Sequence, residues 1–390
     1  MADLAAGPVD VAIIGAGFAG AATAWALARQ EPSLRIALLE RALELGQFAS
    51  GRSAGMGRQL AEDEATTALT VAGAELLRRH GDGAFWHQHG GLLTFDEESH
   101  LQGYLRRAAA WQVPCRALDA AALRDLGVRA HAGLWVPSDG LIDVQPFLRY
   151  LVREATARGA HLLLDTEVTE ITEITEVTRT HAPHATTSGD SGAAGASGAS
   201  LRVGTSRGAL FARVVVEASG AWAGQLTGRS FAPLRRHVYA VPGPRPATLR
   251  APPDEQPPLG LTAAGPFVWH LGATEVYLRP CDDGSWLVSP CDERPGSPGD
   301  QRLDHDAEPE LWRRLGGFSP AWAADAPPLL QAWSCQRTFA PDRKMVLEAD
   351  PAQPALIWAA GLGGHGATAA CAVGERAAAL VRAALAARGG

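Results

Sequence analysis

Residues 11–40 have the sequence VAIIGAGFAGAATAWALARQEPSLRIALLE, and this stretch decides the fold. The apolar run 11–15 is typical of a strand buried in a parallel sheet, and the helix-forming residues 21–29 follow it. A second apolar run, 35–40, ends in an acidic residue. Strand, helix and strand within about thirty residues predict a β-α-β unit, and with it an α/β fold.

The glycine motif GAGFAG, residues 15–20, lies between the first strand and the helix. Gly15 permits a tight turn, Gly17 lets the backbone approach a pyrophosphate at the helix N-terminus, and Gly20 allows close packing of helix on strand. Glu40 is placed to accept hydrogen bonds from an adenosine ribose, and its charge would repel a 2′-phosphate. The motif therefore predicts a dinucleotide site that disfavours NADP, without distinguishing FAD from NAD.

The composition excludes several classes of protein. With 390 residues the chain is too long for one simple core, so we expect two interleaved domains or one elaborate α/β unit. A formal net charge of −7 argues against nucleic-acid binding. The five cysteines are scattered, which argues against a disulfide framework and against a metal site. No apolar run of about 18 residues and no signal-like N-terminus occur, so we expect a cytoplasmic protein with no transmembrane segment.

Hydrophobic patterning predicts the remaining elements. Amphipathic helices are predicted at 65–80 and 147–158, strands at 161–171, 201–216 and 355–360, and an alanine-rich helix at 367–386 after the turn GLGGHG. Residues 178–200 are mostly small and polar and cannot bury a core, so they predict a mobile surface excursion. Pro and Gly are dense at 242–266 and 290–298, which is typical of loops around a smaller second domain.

Four further segments carry a family resemblance. They are GQFASGRSAGMGR at 46–58, VVVEASGAWA at 214–223, SCQRTFAPD at 334–342 and WAAGLGGHGATAACAVGE at 358–375. In this order they resemble the D-amino-acid oxidase superfamily of flavoproteins, which includes glycine oxidase, sarcosine oxidase and the D-amino-acid dehydrogenases. Among these groups, the segments resemble the D-arginine dehydrogenase type most. The resemblance covers nearly the whole chain, apart from the insertion around 178–200.

The resemblance implies a Rossmann-type FAD-binding domain interleaved with a smaller α+β substrate domain built on an antiparallel sheet. The FAD-binding domain would be discontinuous, comprising 1–90, 140–230 and 331–390. The substrate domain would comprise 91–139 and 231–330. FAD would be the cofactor, since the family binds it.

The resemblance also implies which residues contact FAD. Those near the adenosine and pyrophosphate are Arg41, Arg52 and Ser53, with Val168 offering backbone bonds to the adenine and Gly220 and Trp222 in a second nucleotide-contacting turn. Those that open the last helix are Gly363, Gly364, His365 and Gly366, and its N-terminus would point at the flavin pyrimidine. A helix N-terminus there stabilises the negative charge of a reduced flavin.

On the substrate side, Arg337 matches the family arginine that binds the substrate carboxylate, for which a planar guanidinium is the best-shaped partner. Tyr277 matches a tyrosine that supports the same contact. Arg235 or Arg236 would shape the pocket, but not both, because neighbouring residues of a strand face opposite sides. His270 is a weaker candidate, since a lone histidine is more often a core residue.

The chain departs from the D-arginine dehydrogenase pattern at Met56, where those enzymes carry a histidine. Arg58 follows, where sarcosine oxidase-like members place an arginine close to the flavin. The substrate need not be arginine, and an N-methyl or cyclic amino acid fits equally well. Cys335 stands six residues before Pro341-Asp342, where covalent members attach their flavin. We expect non-covalent FAD, with attachment through Cys335 as the open alternative.

The lysine content bears on the electron acceptor. Sarcosine oxidase-like members use a lysine near 284–290 to promote reaction with oxygen, but this stretch is GSWLVSP and Lys344 is the only lysine in the chain. We therefore expect a dehydrogenase that passes electrons to a quinone or another acceptor, unless Arg58, His270 or a protonated His365 replaces the lysine.

Taken together, the sequence predicts FAD-dependent oxidation of the C–N bond of an amino acid or secondary amine, by hydride transfer to flavin N5 and hydrolysis of the imine. Arg337, Tyr277, Arg58 and His365 are the predicted catalytic residues. Two alternatives stay open: a non-catalytic FAD-binding subunit of a multi-subunit amine dehydrogenase, and a flavin monooxygenase.

Overall fold

The β-α-β unit predicted from residues 11–40 is present. In the computed structural model, which describes residues 7–173, 201–243, 265–323 and 326–388, strand β1 spans Val9–Ile14, helix α1 Phe18–Gln30 and strand β2 Ile36–Leu39. Strands β1 and β2 are parallel neighbours, and every residue of β2 is buried. The excursion at 178–200 and most of the loop at 242–266 lie outside the described residues.

The other elements complete a mixed α/β structure. The remaining strands are β3 (Met56–Gly57), β4 (Trp86–Gln88), β5 (Gly91–Phe95), β6 (Arg116–Asp119), β7 (Ala132–Val136), β8 (Gly140–Ile142), β9 (His161–Leu163), β10 (Val168–Glu173), β11 (Leu201–Thr205), β12 (Gly208–Glu217), β13 (Ala232–Val241), β14 (Phe267–Leu271), β15 (Val276–Pro280), β16 (Trp286–Ser289), β17 (Arg294–Pro295), β18 (Gln331–Phe339), β19 (Val346–Ala349) and β20 (Leu356–Ala360). The remaining helices are α2 (Glu64–Arg79), α3 (Glu98–Ala110), α4 (Ala120–Asp125), α5 (Val144–Thr156), α6 (Ala307–Phe318), α7 (Pro320–Ala323) and α8 (Gly366–Ala386).

The first sheet has eight strands and holds the opening unit. Its order is β10-β11-β12-β1-β2-β9, with β20 beside β12 and β19 beside β20. Strands β12, β1, β2, β9 and β20 run parallel, so their carboxyl ends share one edge. Helices α1, α5 and α8 cover one face and bury Val11 and Ile13.

Helices α1 and α8 pack at very short range. Both are rich in alanine, and a Cβ on Gly374 of α8 would overlap the carbonyl oxygen of Ala22 in α1. Small side chains at this contact let the two backbones meet, which fixes α8 and its N-terminus against the first sheet.

Two predicted strands are each divided. The prediction 161–171 becomes β9 and β10, because Asp165 adopts a left-handed conformation (φ 49°) that ends the first of them. The prediction 201–216 becomes the hairpin β11–β12, which turns at 206–207 before Gly208 (φ 115°) begins its second strand. In both cases hydrophobic periodicity alone predicts one long strand, whereas residues with turn conformations divide it into two.

The second sheet has nine strands in the order β17-β13-β16-β15-β14-β5-β7-β6, with β18 also paired to β13. All pairs are antiparallel except β14 with β5. Helix α6 packs on one face and helix α3 on the other. A three-stranded sheet, β3-β8-β4, lies apart from both.

Strand β18 differs from its predicted place. It pairs with β13 along its whole length, from Ala232↔Phe339 to Ala240↔Gln331. Residues 331–339, which the sequence analysis assigns to the FAD-binding domain, thus belong to the second sheet, and the chain returns to the first sheet only at β19. The division into two domains otherwise remains a prediction. In the part of the chain that the structure describes, no helix is long and apolar enough to cross a membrane.

Candidate active site

The glycine motif forms a tight loop between β1 and α1. Gly15 has a φ of 94°, and a Cβ on it would stand 2.6 Å from the carbonyl oxygen of Ala218. A Cβ on Gly20 would overlap the carbonyl oxygen of Gly15. The loop therefore requires glycine at both positions, as the motif predicts. The Oγ of Ser50 accepts a hydrogen bond from the Phe18 amide (2.9 Å) at the start of α1, a contact that the sequence analysis missed.

Glu40 lies at the carboxyl end of β2, beside the glycine loop. It is buried, and its two carboxylate oxygens accept hydrogen bonds from the amides of Ala16 (3.0 Å) and Ala42 (2.9 Å). These bonds hold the carboxylate in a fixed orientation. Each oxygen keeps a second lone pair, so the group can still accept a bond from a ribose hydroxyl.

Aromatic side chains form one end of the site. The Arg41 guanidinium stacks over the Trp222 ring at 4.3 Å and pairs with Glu167 (2.9 Å). The Trp222 ring meets Phe48 edge to face, with their centroids 4.7 Å apart. Phe48 was not predicted. A Cβ on Gly220 would meet no atom within 4 Å, so the backbone there borders open space.

One cavity joins this end to the second sheet. The predicted residues that line it are Gly15, Gly17, Glu40, Arg41, Arg52, Ser53, Val168, Gly220, Trp222, Gly363, Gly364, Gly366, Tyr277, Cys335 and Arg337. Three predicted residues, Gly20, Arg58 and His365, lie behind its wall. Lining residues that the sequence analysis missed include Gln301, Gln336 and Thr338. The cavity therefore extends from the end of β2 to β15 and β18.

Arg337, on β18, lies at the far end of this cavity. It packs on the loop before α8, where a Cβ on Gly364 would stand 2.8 Å from its Nη1. Its guanidinium is 5.4 Å from the Trp269 ring centroid. No hydrogen bond or ion pair to its side chain occurs among the described residues. Burial, and then the charge of Arg236, lower the pKa of Arg337 from its ordinary value. A guanidinium nevertheless stays charged in a protein, so it can bind an anion.

Tyr277, on β15, is fully buried and lines the same end of the cavity. Burial raises the pKa of its phenol far above the ordinary value. The hydroxyl therefore keeps its proton and can donate a hydrogen bond into the cavity.

Behind the wall, the buried Arg58 joins a network that includes an exposed carboxylate. It pairs with Glu62, lies 3.1 Å from His365 Nε2 and stacks over the Trp269 ring at 4.2 Å. Glu62 also contacts His365, with Oε2 2.8 Å from Nε2. Glu62 was not predicted, because it belongs to no recognised motif and its partner His365 lies 303 positions away. Arg58 and His365, predicted as separate catalytic residues, thus contact each other.

The two adjacent arginines have separate partners. Arg235 forms ion pairs with Asp300 (3.1 Å) and Asp304 (2.9 Å). Arg236 is fully buried and donates to the carbonyl oxygens of Cys291 and Asp292. Only Arg236 acts electrostatically on Arg337, and neither lines the cavity.

His270, Met56 and Cys335 complete the predicted set. His270 is a satisfied core residue, whose ring nitrogens contact Thr94 (3.0 Å) and Asp96 (3.1 Å) away from the cavity. Met56 is half-buried in β3. Cys335 is buried in the cavity wall opposite Arg236 on β13, and burial raises the pKa of its thiol.

Comparisons with known proteins agree with this geometry. A family model described as FAD dependent oxidoreductase (DAO) matches residues 10–380. L-proline dehydrogenase from P. horikoshii superposes with a TM-score of 0.77 at 20% identity, covering 96% of this chain and 93% of that one. Glycine oxidase from Geobacillus kaustophilus gives 0.72 at 22% identity, with coverages of 97% and 95%. L-α-glycerophosphate oxidase from Mycoplasma pneumoniae, with FAD bound, gives 0.75 at 19%, with 96% and 94%. No curated protein sequence matches the chain. The predicted fold class and family resemblance are thus confirmed.

Proposed function

The chain belongs to the DAO family of FAD-dependent oxidoreductases, and from this premise we propose that it oxidises the C–N bond of an amino acid at the carbon next to the nitrogen. The observation that carries the proposal is Arg337. This guanidinium lines the cavity, is half-buried, and has no anionic partner in the described part of the chain. A guanidinium that is partly shielded from solvent and unpaired favours an anionic ligand such as a carboxylate.

The residues of the glycine loop and its surroundings suit the cofactor of the family. Glu40 would hold the ribose, the N-terminus of α1 the pyrophosphate, and the open backbone at Gly220 the adjoining part of the nucleotide. FAD, when bound, supplies the acceptor for a hydride taken from the substrate carbon. The N-terminus of α8 contributes a positive dipole end to the same cavity through Gly363, Gly364 and Gly366.

The protein's own contribution is orientation. Arg337 would bind the substrate carboxylate with two parallel hydrogen bonds, and Tyr277 would donate a third from its neutral hydroxyl. Two fixed donors leave the carboxylate little rotational freedom, which directs the carbon and nitrogen toward the rest of the cavity. Trp269 is buried between β5 and β15 and supports Arg337 from behind.

Anaerobic flavin bleaching tests the proposal. The purified protein would be mixed with glycine, D-alanine, sarcosine or L-proline, and with glycerol 3-phosphate as a substrate that has no nitrogen. We expect loss of the oxidised flavin absorbance with at least one amino acid and not with glycerol 3-phosphate. Bleaching by glycerol 3-phosphate alone would show that the enzyme oxidises a C–O bond and not a C–N bond. If none of these compounds bleaches the flavin, the result would favour the non-catalytic subunit.

We further propose that the enzyme is a dehydrogenase. Lys344, the only lysine in the sequence, is exposed in the turn after β18, and β16 carries none. No lysine is therefore available to promote reaction with oxygen. Reduced enzyme should re-oxidise slowly in air-saturated buffer and quickly with a quinone or a dye, as measured by stopped flow. Re-oxidation by oxygen at the rate of a dedicated oxidase would contradict this.

A further inference from the structure

Residues 296–304, between β17 and α6, cross from the second sheet to the nucleotide end of the cavity, and we call them the bridging segment. A Cβ on Gly299 would stand 2.8 Å from Cζ2 of Trp222, and Gly299 has a φ of 80°, so this close approach requires glycine. Two residues later, Gln301 Nε2 donates a hydrogen bond to the carbonyl oxygen of Gln47 (2.9 Å). The bridging segment therefore contacts the loop that follows β2.

The bridging segment is firmly fixed to the second sheet. Gln336, on β18, holds it through both atoms of its amide. Its Oε1 accepts a hydrogen bond from the Gly299 amide (2.7 Å), and its Nε2 donates one to the carbonyl oxygen of Ser297 (2.7 Å). Asp300 forms an ion pair with Arg235 on β13 (3.1 Å), and both side chains are buried. These three contacts anchor the bridging segment on β13 and β18.

Its attachment to the loop after β2 is much weaker. Within the described ranges, the bond from Gln301 to Gln47 is the only hydrogen bond between the bridging segment and residues 41–55. A single neutral hydrogen bond adds little net stability, because water replaces it when the contact opens. The contact between Gln301 and Gln47 is therefore the point at which the two segments separate most easily.

An open groove of about 770 Å³ lies on the other side of this contact, and its size is that of a ligand pocket. The residues that line both the cavity and the groove are Gly46, Gln47, Phe48, Arg52, Ser53, Gly299 and Gln301. Since the same residues line both spaces, the wall between them is a single layer of chain. It consists of the loop after β2 and the bridging segment.

We propose that this wall is the gate through which FAD enters and leaves the protein, and that the bond from Gln301 to Gln47 is its latch. The inference follows from membership of an FAD-binding family and does not depend on which substrate is oxidised. When the latch opens, the bridging segment stays on its anchors in the second sheet while the loop after β2 stays with the first sheet. The cavity and the groove then form one space that reaches solvent.

A latch has a kinetic signature that a direct cofactor contact lacks. The bond from Gln301 to Gln47 joins two segments of the protein, so its loss favours the open form of both the empty and the loaded protein. Association and dissociation of FAD then become faster by the same factor, and the affinity is unchanged. Loss of a side chain that binds FAD itself would instead raise the dissociation rate alone and weaken the affinity.

The experiment measures FAD exchange without any turnover. Protein loaded with ¹⁴C-labelled FAD would be mixed with a large excess of unlabelled FAD, and the label that the protein retains would be followed over time. Stopped-flow absorbance of apoprotein mixed with FAD gives the association rate. Gln301→Met keeps the length of the side chain and removes the amide donor. The matched control is Gln331→Met, at an exposed glutamine that lines the groove but not the cavity.

We expect Gln301→Met to accelerate both association and dissociation by about two- to twelvefold, the range for loss of one neutral hydrogen bond, with an unchanged Kd. Gln331→Met should exchange FAD at the wild-type rate. Unchanged exchange in Gln301→Met overturns the proposal. Faster dissociation with unchanged association also overturns it, because Gln301 would then be a cofactor contact and not a latch. Equal acceleration in Gln331→Met overturns it as well, since the whole groove would then have loosened.

Discussion

Replacing Arg337 by alanine should weaken the enzyme's hold on substrates that carry a carboxylate. Within the described ranges the guanidinium has no anionic partner, and it is half-buried in the cavity wall, so a carboxylate bound in the cavity would form a desolvated charge pair with it. Loss of one partner from such a pair costs about 2–5 kcal/mol. At 1.4 kcal/mol per tenfold change, this is about 30- to 4,000-fold in kcat/KM.

The assay compares matched substrates. Anaerobic flavin reduction would be followed with L-proline and with pyrrolidine, which has the same ring and no carboxylate. Arg337→Ala should lose activity toward L-proline only, and Arg337→Lys should fall between alanine and wild type, because a lysine keeps the charge but not the two-pronged geometry. Arg343→Ala, which removes an exposed guanidinium paired with Glu293, is the control. An equal loss with pyrrolidine would refute carboxylate binding, and loss of FAD would show a structural role.

Three further predictions concern the cofactor and stability. Gly20→Ala should yield protein without flavin absorbance, because the new Cβ would overlap the carbonyl oxygen of Gly15. The control Gly317→Ala should stay yellow, because a Cβ there meets no atom within 4 Å. A yellow Gly20→Ala protein would contradict the prediction. Burial raises the pKa of Glu217 from 4.5 to about 7, so the folded wild type holds this proton more tightly than the unfolded chain and loses up to about 3 kcal/mol of stability as the pH rises between these values. Glu217→Gln should lose less over that range in urea unfolding at pH 5 and pH 8, and equal losses would count against the buried charge. Acid precipitation should release the yellow colour into the supernatant, since burial disfavours the Cys335 thiolate that a covalent bond would need, and a yellow pellet would show attachment.

The parts of the fold that the sequence predicted are those encoded locally. The unit at 11–40 needs only apolar runs, a glycine loop and a helix former between them, and all three are contiguous in the chain. The division of 161–171 at Asp165 was not predicted, because a single left-handed residue in an apolar run leaves the hydrophobic periodicity intact. The position of β18 in the second sheet was not predicted either, because its partner β13 is distant in sequence.

The candidate site shows the same limit. Residues within recognisable motifs, such as Glu40 and Arg337, were found from the sequence and lie together on one cavity. Glu62 belongs to no motif, and only folding brings it to His365. Strand geometry predicts that Arg235 and Arg236 do not both face the pocket. Which of them acts on Arg337 depends on the charges in the surrounding loops, and the sequence does not show these.

The close contact between α1 and α8 has a consequence for biosynthesis. Helix α1 is made early, yet its buried face meets α8, which leaves the ribosome more than three hundred residues later. Until then the alanine-rich surface around Ala22 lacks its partner, and the first sheet lacks β19 and β20. The nucleotide-binding half cannot complete its folding until α8 has been made, so nascent chains should depend on a chaperone or on slow elongation to avoid aggregation.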